Sequence, residues 1–235
     1  MSEKKKYALV TGASRGIGKA VAEKLHKDGF HVFATATKCF GQNSDYEWLE
    51  ADFSIEESVA EFLEKIKNMP PIDALVNNAG INIIKPVNDI SQEDFRKIIN
   101  VNLLAPLFTV QSVVKNVRKN GRIVNVASIW AEISKSHRTL YSTTKSAIAG
   151  ITRSLAAELA EKNILVNTVS PGFTLTDLTK SSLSEDEMQK ITATIHLKRM
   201  AETNEIASLV SFLVGSENTY ITGQNIIIDG GVSIV

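Results

Sequence analysis

The amino-acid sequence predicts an α/β fold, in which helices cover both faces of a doubly wound parallel sheet of seven strands. Short apolar segments alternate with longer amphipathic segments over all 235 residues. The short segments are almost continuously apolar, which is typical of parallel strands that are buried on both faces. No linker, repeat or low-complexity stretch interrupts the alternation, so we expect a single domain over residues 1–235.

Seven strands and six main helices follow from this pattern. The predicted strands, which are short and β-rich, cover residues 7–11, 31–35, 48–51, 74–77, 122–127, 165–170 and 225–228. The predicted helices, which are longer and amphipathic, cover residues 17–28, 55–68, 92–120, 140–161, 184–194 and 203–215. Because strands and helices alternate, right-handed crossovers are expected to connect neighbouring parallel strands.

Local signals support the start of two helices and a bend in one of them. Ser54 with Glu57 precedes the second helix, and Ser91 with Asp94 precedes the third. Both pairs have the spacing of a side-chain cap at a helix start. Pro106 lies inside the long third helix and predicts a bend there.

The connection over residues 36–46 is the weakest part of the alternation. It offers only about ten residues, whereas a crossover helix with its loops needs more. We expect a loop or a single helical turn in this connection. That edge of the sheet would then be less covered than the rest.

The composition excludes several classes of function. The 26 basic residues balance the 26 acidic ones, so no overall field favours nucleic acid or an acidic membrane surface. Neither a signal peptide nor an apolar run of membrane-spanning length is apparent. The single cysteine, Cys39, cannot form an internal disulfide, and the four histidines show no metal-ligand spacing. We expect a cytoplasmic protein without a bound metal.

A glycine-rich turn follows the first predicted strand and opens the first helix. It spans residues 11–18 and carries Gly12, Gly16 and Gly18. Glycines at such a place permit a tight turn and let backbone N–H groups approach a pyrophosphate at the helix N-terminus. The turn therefore predicts a nucleotide site, although similar turns also occur for packing reasons.

Tyr141 and Lys145 form the most informative pair of side chains. They lie four residues apart in a predicted helix, so they share one face of it. An ammonium group beside a phenol favours the phenolate, and in a partly desolvated cleft this effect is large enough to matter near neutral pH. We therefore interpret the pair as a proton-transfer device, provided that it lies in a cleft with a cofactor or substrate.

The end of the second predicted strand indicates which dinucleotide is used. Sites for NAD usually place an acidic residue there, on the ribose hydroxyl. Residues 34–38 contain no acid, whereas Arg15 and Lys38 supply positive charge and Thr37 supplies a hydroxyl. These groups suit a 2′-phosphate, and the alternative is that they are ordinary surface residues. We predict NADP(H).

Several separated motifs make the chain similar to the short-chain dehydrogenase/reductases over almost its whole length. They are Thr11-Gly12-x-x-x-Gly16-x-Gly18, Asn77-Asn78-Ala79-Gly80, Asn102, Ser128, Tyr141-x-x-x-Lys145, and Pro171-Gly172 with Thr176. The resemblance implies a Rossmann fold, hydride transfer with a nicotinamide cofactor, and commonly a homotetramer. In that family the tetramer forms through the two long helices and the C-terminal strand.

The resemblance also implies which residues form the site. The catalytic set is Asn102, Ser128, Tyr141 and Lys145, in which Ser128 binds the substrate oxygen and Asn102 holds a water that connects Lys145 to solvent. The cofactor set is Gly12, Ser14, Arg15, Gly16, Ile17, Gly18, Thr37, Lys38, Asp52, Phe53, Asn78, Ala79, Gly80, Tyr141, Lys145, Pro171, Gly172, Thr174 and Thr176. The expected substrate residues are Ser128, Trp130, Arg138 and Tyr141. The family also carries a mobile lid, here over residues 173–197.

Two of the substrate residues have competing interpretations. Arg138 either meets an anionic part of a substrate or is a solvated loop residue, and Trp130 either lines the site or packs the loop. His137 is expected to be a surface residue, and Cys39 to be incidental.

Two hypotheses remain for the substrate class of an enzyme of this kind. Within the family the strongest resemblance is to 3-oxoacyl-acyl-carrier-protein reductases, in the segments 8–18, 34–37, 171–173 and 220–224. Lys119 and Lys162 stand where such reductases carry basic residues for an acidic carrier protein. Residues 81–86 instead resemble members that act on sugars, polyols or sugar acids. A third hypothesis is that the protein is a cofactor-binding sensor without activity, which the complete catalytic set disfavours.

Overall fold

The fold is described from a computed structural model over residues 5–38 and 45–234. In this part of the chain, seven parallel strands form one sheet. In chain order they are β1 Lys6–Val10, β2 Phe30–Ala36, β3 Tyr46–Glu50, β4 Ile72–Asn77, β5 Val117–Val126, β6 Leu165–Pro171 and, as the last strand, β9 Asn225–Ile228. Two very short strands, β7 Thr174–Leu175 and β8 Ala201–Glu202, pair separately. The predicted parallel sheet is confirmed.

Helices connect the strands. They are α1 Gly16–Lys27, α2 Glu56–Lys67, α3 Gln92–Ile99, α4 Ala105–Val113, α5 Thr139–Leu159, α6 Asp177–Ser182, α7 Glu185–Thr194 and α8 Thr203–Val214. The strand order in the sheet is β3-β2-β1-β4-β5-β6-β9, so the direction of winding reverses between β1 and β4. A crevice opens at the carboxyl ends of the strands at such a reversal, and ligands bind there in sheets of this kind.

The core has two layers, one on each face of the sheet. Along β1, Ala8 and Val10 face a cluster that includes α1 and α8, whereas Leu9 faces a cluster that includes α2, α4 and α5. This alternation follows from the period of two in a strand. Because both layers are apolar, each strand is an almost continuous apolar run, as the sequence suggested.

The prediction of one long helix over residues 92–120 is wrong for the last part of this range, which is a strand. The observed helix is also interrupted in its middle. A wide π-helical turn over Asn100–Leu104 separates α3 from α4. Pro106 lacks an N–H group for the carbonyl of the residue four before it, which favours such a widened turn. The helix ends at Val113, and β5 begins at Val117 because this segment pairs with Ile72 of β4.

Other boundaries and caps differ in smaller ways. Ser91 caps α3 as predicted, since its side chain accepts from the N–H of Asp94 at 3.0 Å and the Asp94 carboxylate accepts from the Ser91 N–H. Ser54 does not cap α2, because the Ser54 hydroxyl donates to Asp52. Helix α2 begins directly after Ile55, one residue later than predicted. The predicted loop over 36–46 falls partly on residues 39–44, with Cys39, outside the described residues.

No helix among the described residues is both long and apolar enough to cross a membrane.

A buried arginine in the middle of β5 holds neighbouring chain segments together. Arg122 is only 6% exposed, and its guanidinium donates to backbone carbonyls rather than to a carboxylate. The acceptors are Asn218 at 2.8 Å, Gly121 at 3.0 Å, Asn163 at 3.3 Å and Asn120 at 2.5 Å. These bonds join three chain segments around one cation, and burial lowers the pKa of Arg122 from its usual range.

We predict that Arg122→Met destabilises the protein by about 2 kcal/mol or more, because several buried carbonyls lose their donor. The measurement is urea unfolding followed by circular dichroism. Lys65→Met is the control, since Lys65 is an exposed cation on α2. Equal unfolding midpoints for the two variants would contradict the role of Arg122.

Candidate active site

The glycine turn after β1 is held by its own backbone geometry. Gly12 has φ +64°, and its N–H donates to the Thr35 hydroxyl at 2.9 Å. A side chain at Gly18 would overlap the carbonyl of Gly12 and the amide of Asn78. Gly16 also has a positive φ, +58°, and lies beside Thr176. Only glycine fits these places, as expected for a turn that presents backbone N–H groups.

Asn78 supports this turn from β4. Its side-chain amide donates to the carbonyls of Thr11 at 2.9 Å and Gly12 at 3.0 Å. In return, the Thr11 hydroxyl accepts from the backbone N–H groups of Asn78 and Ala79 at 3.0 and 3.1 Å. The Asn78 side chain therefore fixes the shape of the turn, whereas the resemblance implied a direct contact with the adenosine ribose.

Lys145 lies at the carboxyl end of β5, deep in the protein. It is 4% exposed, and its ammonium donates to the Val126 carbonyl at 2.9 Å. A side chain at Gly80 would meet Lys145 Nζ and Asn102 Oδ1, both at 3.4 Å, so these polar groups surround the same small space. Burial lowers the pKa of Lys145 to about 8, because the charged form is poorly solvated there.

Tyr141 lies one helical turn before Lys145, and the Ser128 hydroxyl is near enough to its phenol to act on it. Burial raises the pKa of the phenol, while the Ser128 hydroxyl and the positive charge of Arg138 oppose that rise. The Lys145 Nζ lies 5.6 Å from the centre of the Tyr141 ring. We expected Lys145 to lower this pKa strongly, but in this structure burial has the largest effect.

Asn102 occupies the π-helical turn and is 1% exposed. Its side chain accepts from the Ile81 N–H at 2.8 Å and donates to the Ile81 carbonyl at 2.9 Å. It also donates to the Thr144 hydroxyl at 3.1 Å, next to Lys145 in α5. Both ends of the amide are therefore used to join three segments around Lys145.

The segment between Ser128 and Tyr141 forms a wall beside these hydroxyls. The backbone N–H of Trp130 donates to Ser128 Oγ at 3.3 Å, and the indole ring of Trp130 meets Phe173 edge-to-face with centres 6.1 Å apart. The Arg138 guanidinium lies over the Trp130 ring, with Cζ 5.3 Å from its centre. Trp130 and Arg138 thus lie together in the segment that joins Ser128 to Tyr141, and their contact with a substrate stays a prediction.

The carboxyl end of β6 closes the site on the opposite side. Pro171 ends the strand, and Gly172 lies so close to Asp229 that a side chain would come within 2.7 Å of its Cα. The Thr174 hydroxyl donates to the Gly172 carbonyl at 3.1 Å, and Thr176 caps α6. The segment predicted as a lid, 173–197, contains β7, α6 and α7.

The remaining predicted cofactor residues divide into two groups. Ser14, Arg15, Thr37 and Lys38 are exposed near the ends of β1 and β2, and Ile17 is half-buried in α1. Asp52 Oδ1 accepts from Ser54, and the Phe53 side chain is buried against Phe62, with ring centres 5.3 Å apart. Phe53 can therefore offer a ligand its backbone, whereas Asp52 keeps a second carboxylate oxygen.

Some supporting residues are not apparent from the sequence. Thr35 holds Gly12, Thr144 holds Asn102, and Phe173 holds Trp130, as described above. Thr11 belongs to the glycine motif, but its role as an acceptor needs the neighbouring strand β4. Among the described residues, no group of three acidic, histidine or cysteine side chains could hold a metal ion.

Comparisons with known proteins agree with this arrangement. The family model described as enoyl-(acyl carrier protein) reductase matches residues 12–233. The 3-oxoacyl-acyl-carrier-protein reductase FabG of Aquifex aeolicus (strain VF5) is 39% identical over 241 residues, covering 97% of each chain.

Two solved structures have a similar fold. A blue fluorescent protein from a metagenomic library, in complex with NADPH, has a TM-score of 0.87 and 32% identity, covering 97% of this chain and 98% of its own. The ligand-free aldohexose dehydrogenase of Thermoplasma acidophilum has a TM-score of 0.90 and 30% identity, covering 99% of this chain and 95% of its own. With its motifs, its sheet and these similarities, the chain belongs to the short-chain dehydrogenase/reductase family of oxidoreductases.

Proposed function

We propose that this protein transfers hydride between NADP(H) and a carbonyl or secondary alcohol, with Tyr141 as the acid and base. The observation that carries the proposal is the proximity of the Tyr141 phenol to the Ser128 hydroxyl and to buried Lys145, next to the glycine turn. A phenol, a hydroxyl and an ammonium at one end of a sheet can bind and protonate an oxygen that is becoming negative.

When bound, the nicotinamide supplies the hydride. The Ser128 hydroxyl then donates to the substrate oxygen and holds it beside Tyr141. In the reductive direction Tyr141 gives its proton to that oxygen. Burial keeps the pKa of the phenol raised, so Tyr141 retains this proton at neutral pH before the reaction.

The proton of Tyr141 is returned through Lys145. The Lys145 ammonium is charged below its pKa of about 8 and lies on the path from Tyr141 towards Asn102. Pro106 has no N–H group to offer the Asn102 carbonyl, so this carbonyl is suited to hold a water that reaches solvent.

The residues around the glycine turn fit a dinucleotide with a 2′-phosphate. The turn presents backbone N–H groups at the start of α1, and Arg15 and Lys38 are exposed cations at the ends of β1 and β2. No ion pair of either cation occurs within residues 5–38 and 45–234. Residues 34–38 carry no carboxylate that would repel the phosphate. The similar NADPH-bound structure supports the same choice.

A 3-oxoacyl thioester on an acyl carrier protein is the first candidate substrate. The 39% identity to the Aquifex reductase over nearly the whole chain supports it, as do the exposed Lys119 and Lys162. A sugar, polyol or sugar acid is the second candidate, supported by the fold similarity to the aldohexose dehydrogenase. Both candidates use Tyr141 as the proton donor. They differ in the chemical groups that they present to Trp130 and Arg138.

A homotetramer remains a prediction. Large apolar side chains are exposed on the helices expected at its interfaces, namely Phe95, Leu104 and Phe108. Ile227 on β9 is also 39% exposed. Burial of these side chains against a second copy of the chain would stabilise the assembly.

We predict that Tyr141→Phe lowers kcat by about 100-fold or more, because it removes the proton donor. The assay follows NADPH absorbance with an acetoacetyl thioester and, in parallel, with a panel of aldoses and sugar acids. Tyr220→Phe is the control, since Tyr220 is 94% exposed. Full activity of Tyr141→Phe on any substrate would refute the role of Tyr141, and turnover of the sugars alone would refute the thioester.

The cofactor choice predicts the effect of removing its two cations. In Arg15→Ala with Lys38→Ala, the KM for NADPH should rise about 10- to 100-fold, since two charge-assisted contacts to a phosphate are lost. The KM for NADH should barely change. Lys19→Ala is the control, an exposed cation on α1 that lies 3.9 Å from Glu23. Equal kcat/KM for NADH and NADPH in the unaltered protein would contradict NADP(H) as the cofactor.

The buried Lys145 predicts a pH dependence of stability in the cofactor-free protein. Its pKa is about 8 when folded and about 10.4 when unfolded, so between these values the unfolded chain binds more protons. The free energy of unfolding contributed by Lys145 therefore rises with pH in this window. The free energy of unfolding is measured in urea at about pH 7 and pH 10. The unaltered protein should be more stable relative to Lys145→Met at pH 10 than at pH 7. A difference that does not change with pH would contradict the lowered pKa.

A further inference from the structure

Arg138 carries a positive charge that its surroundings do not neutralise. Its Nε is buried and has no hydrogen-bond partner among the residues that the structure describes. No carboxylate pairs with this guanidinium within the same residues. Buried donors without acceptors are rare in folded proteins because they lose their bonds to water. The protein covers Nε itself, whereas the terminal Nη groups, which also make no hydrogen bond within residues 5–38 and 45–234, are the ones that a ligand reaches.

The position of Arg138 is fixed on both sides of the loop. His137 has φ +71°, and its carbonyl accepts from the Lys85 N–H at 3.3 Å. The Arg138 carbonyl accepts from the Ser142 N–H at 2.8 Å, in the first turn of α5. The side chain then crosses the Trp130 ring at 5.3 Å. The guanidinium is therefore held in place before any ligand binds.

The acid and the other base of this wall do not compensate for Arg138. Glu132, the acidic residue of this segment, accepts from the Asn225 side chain at 2.7 Å. Lys135 lies over the same Trp130 ring at 5.5 Å, so it adds positive charge. Of the two cations, Lys135 is exposed and Arg138 is half-buried. Arg138 is therefore the one that lacks solvent.

Arg138 also lies near the proposed point of reaction. It precedes Tyr141 by three residues, so both side chains leave the same turn of chain at the start of α5. Their charges interact, since Arg138 favours the ionised phenol. A group bound by Arg138 must consequently lie within a few bonds of the carbonyl whose oxygen meets Tyr141.

We propose that Arg138 selects the substrate by binding a carboxylate a few bonds from the carbonyl that is reduced. The proposal rests on the proposed function only in taking Tyr141 as the site of reduction. The two terminal Nη groups of a planar guanidinium match a carboxylate, which accepts two parallel bonds. A thioester places only a neutral carbonyl at this position. Of the two candidate substrates above, Arg138 therefore favours the acid form of the second, an oxo acid with a free carboxylate, over the 3-oxoacyl thioester.

The test uses matched pairs of short oxo acids and their neutral methyl esters, with the ketone two, three or four carbons along the chain. NADPH oxidation is followed for the unaltered protein, Arg138→Gln and Lys65→Gln, since Lys65 is an exposed cation on α2 away from this wall. For at least one pair, kcat/KM of the acid should exceed that of the ester by about 10-fold or more. Arg138→Gln should remove about 10- to 100-fold for the acid alone, and mainly through KM. Lys65→Gln should leave both nearly unchanged.

Two outcomes would overturn the proposal. One is an equal loss for acid and ester in Arg138→Gln with a shifted pH optimum of kcat, since Arg138 would then act on Tyr141 and not on the substrate. The other is a preference for the acid over the ester that is as large in Arg138→Gln as in the unaltered protein.

A binding measurement separates this proposal from the proposed function. In Trp48→Phe, Trp130 is the sole tryptophan of the chain. Titration with the oxo acids in the presence of NADP⁺ should change its fluorescence, and Arg138→Gln should abolish that change. If no compound is reduced but the change occurs, the proposed function fails and the carboxylate site stands. If neither fluorescence nor rate responds to the carboxylate, the site is refuted.

Discussion

The hydrogen bond between the Lys145 ammonium and the Val126 carbonyl is the contact on which the site depends. It joins α5 to the end of β5, and these two elements carry Tyr141 and Ser128. The bond needs a charged group in a place that disfavours charge, which is why the pKa of Lys145 is lowered to about 8. The site is therefore built at some expense of stability, as is common where function requires buried polar groups.

Around this contact, side-chain amides and hydroxyls hold the ends of the strands in place. Asn78 and Thr11 fix the glycine turn, and Asn102 joins the segment after β4 to α5. Each of these amides uses its donors on the protein itself. The groups left to act on a substrate at the point of reaction are consequently few: the Tyr141 and Ser128 hydroxyls and the Arg138 guanidinium.

Burial acts on the three ionisable residues at the centre of the site in the same sense. It lowers the pKa of Lys145 and Arg138 and raises that of Tyr141, so each charged form is disfavoured. A ligand that brings opposite charge would relieve this cost. The positive ring of an oxidised nicotinamide would favour the phenolate, and a carboxylate would favour the guanidinium.

The sequence by itself determined the class of fold, the glycine turn and the Tyr141–Lys145 pair. These features are local, because alternation of apolar segments and spacing along a helix are written in neighbouring residues. It could not determine where the helix after Gln92 ends, because pairing of Val117 with Ile72 on β4 overrides the helical pattern. Likewise, only the tertiary structure decided that Asn78 serves the turn, that Lys145 bonds to Val126 and that Arg138 lies unpaired over Trp130. Each of these depends on contacts between segments distant in the chain, and on burial, which no local pattern specifies.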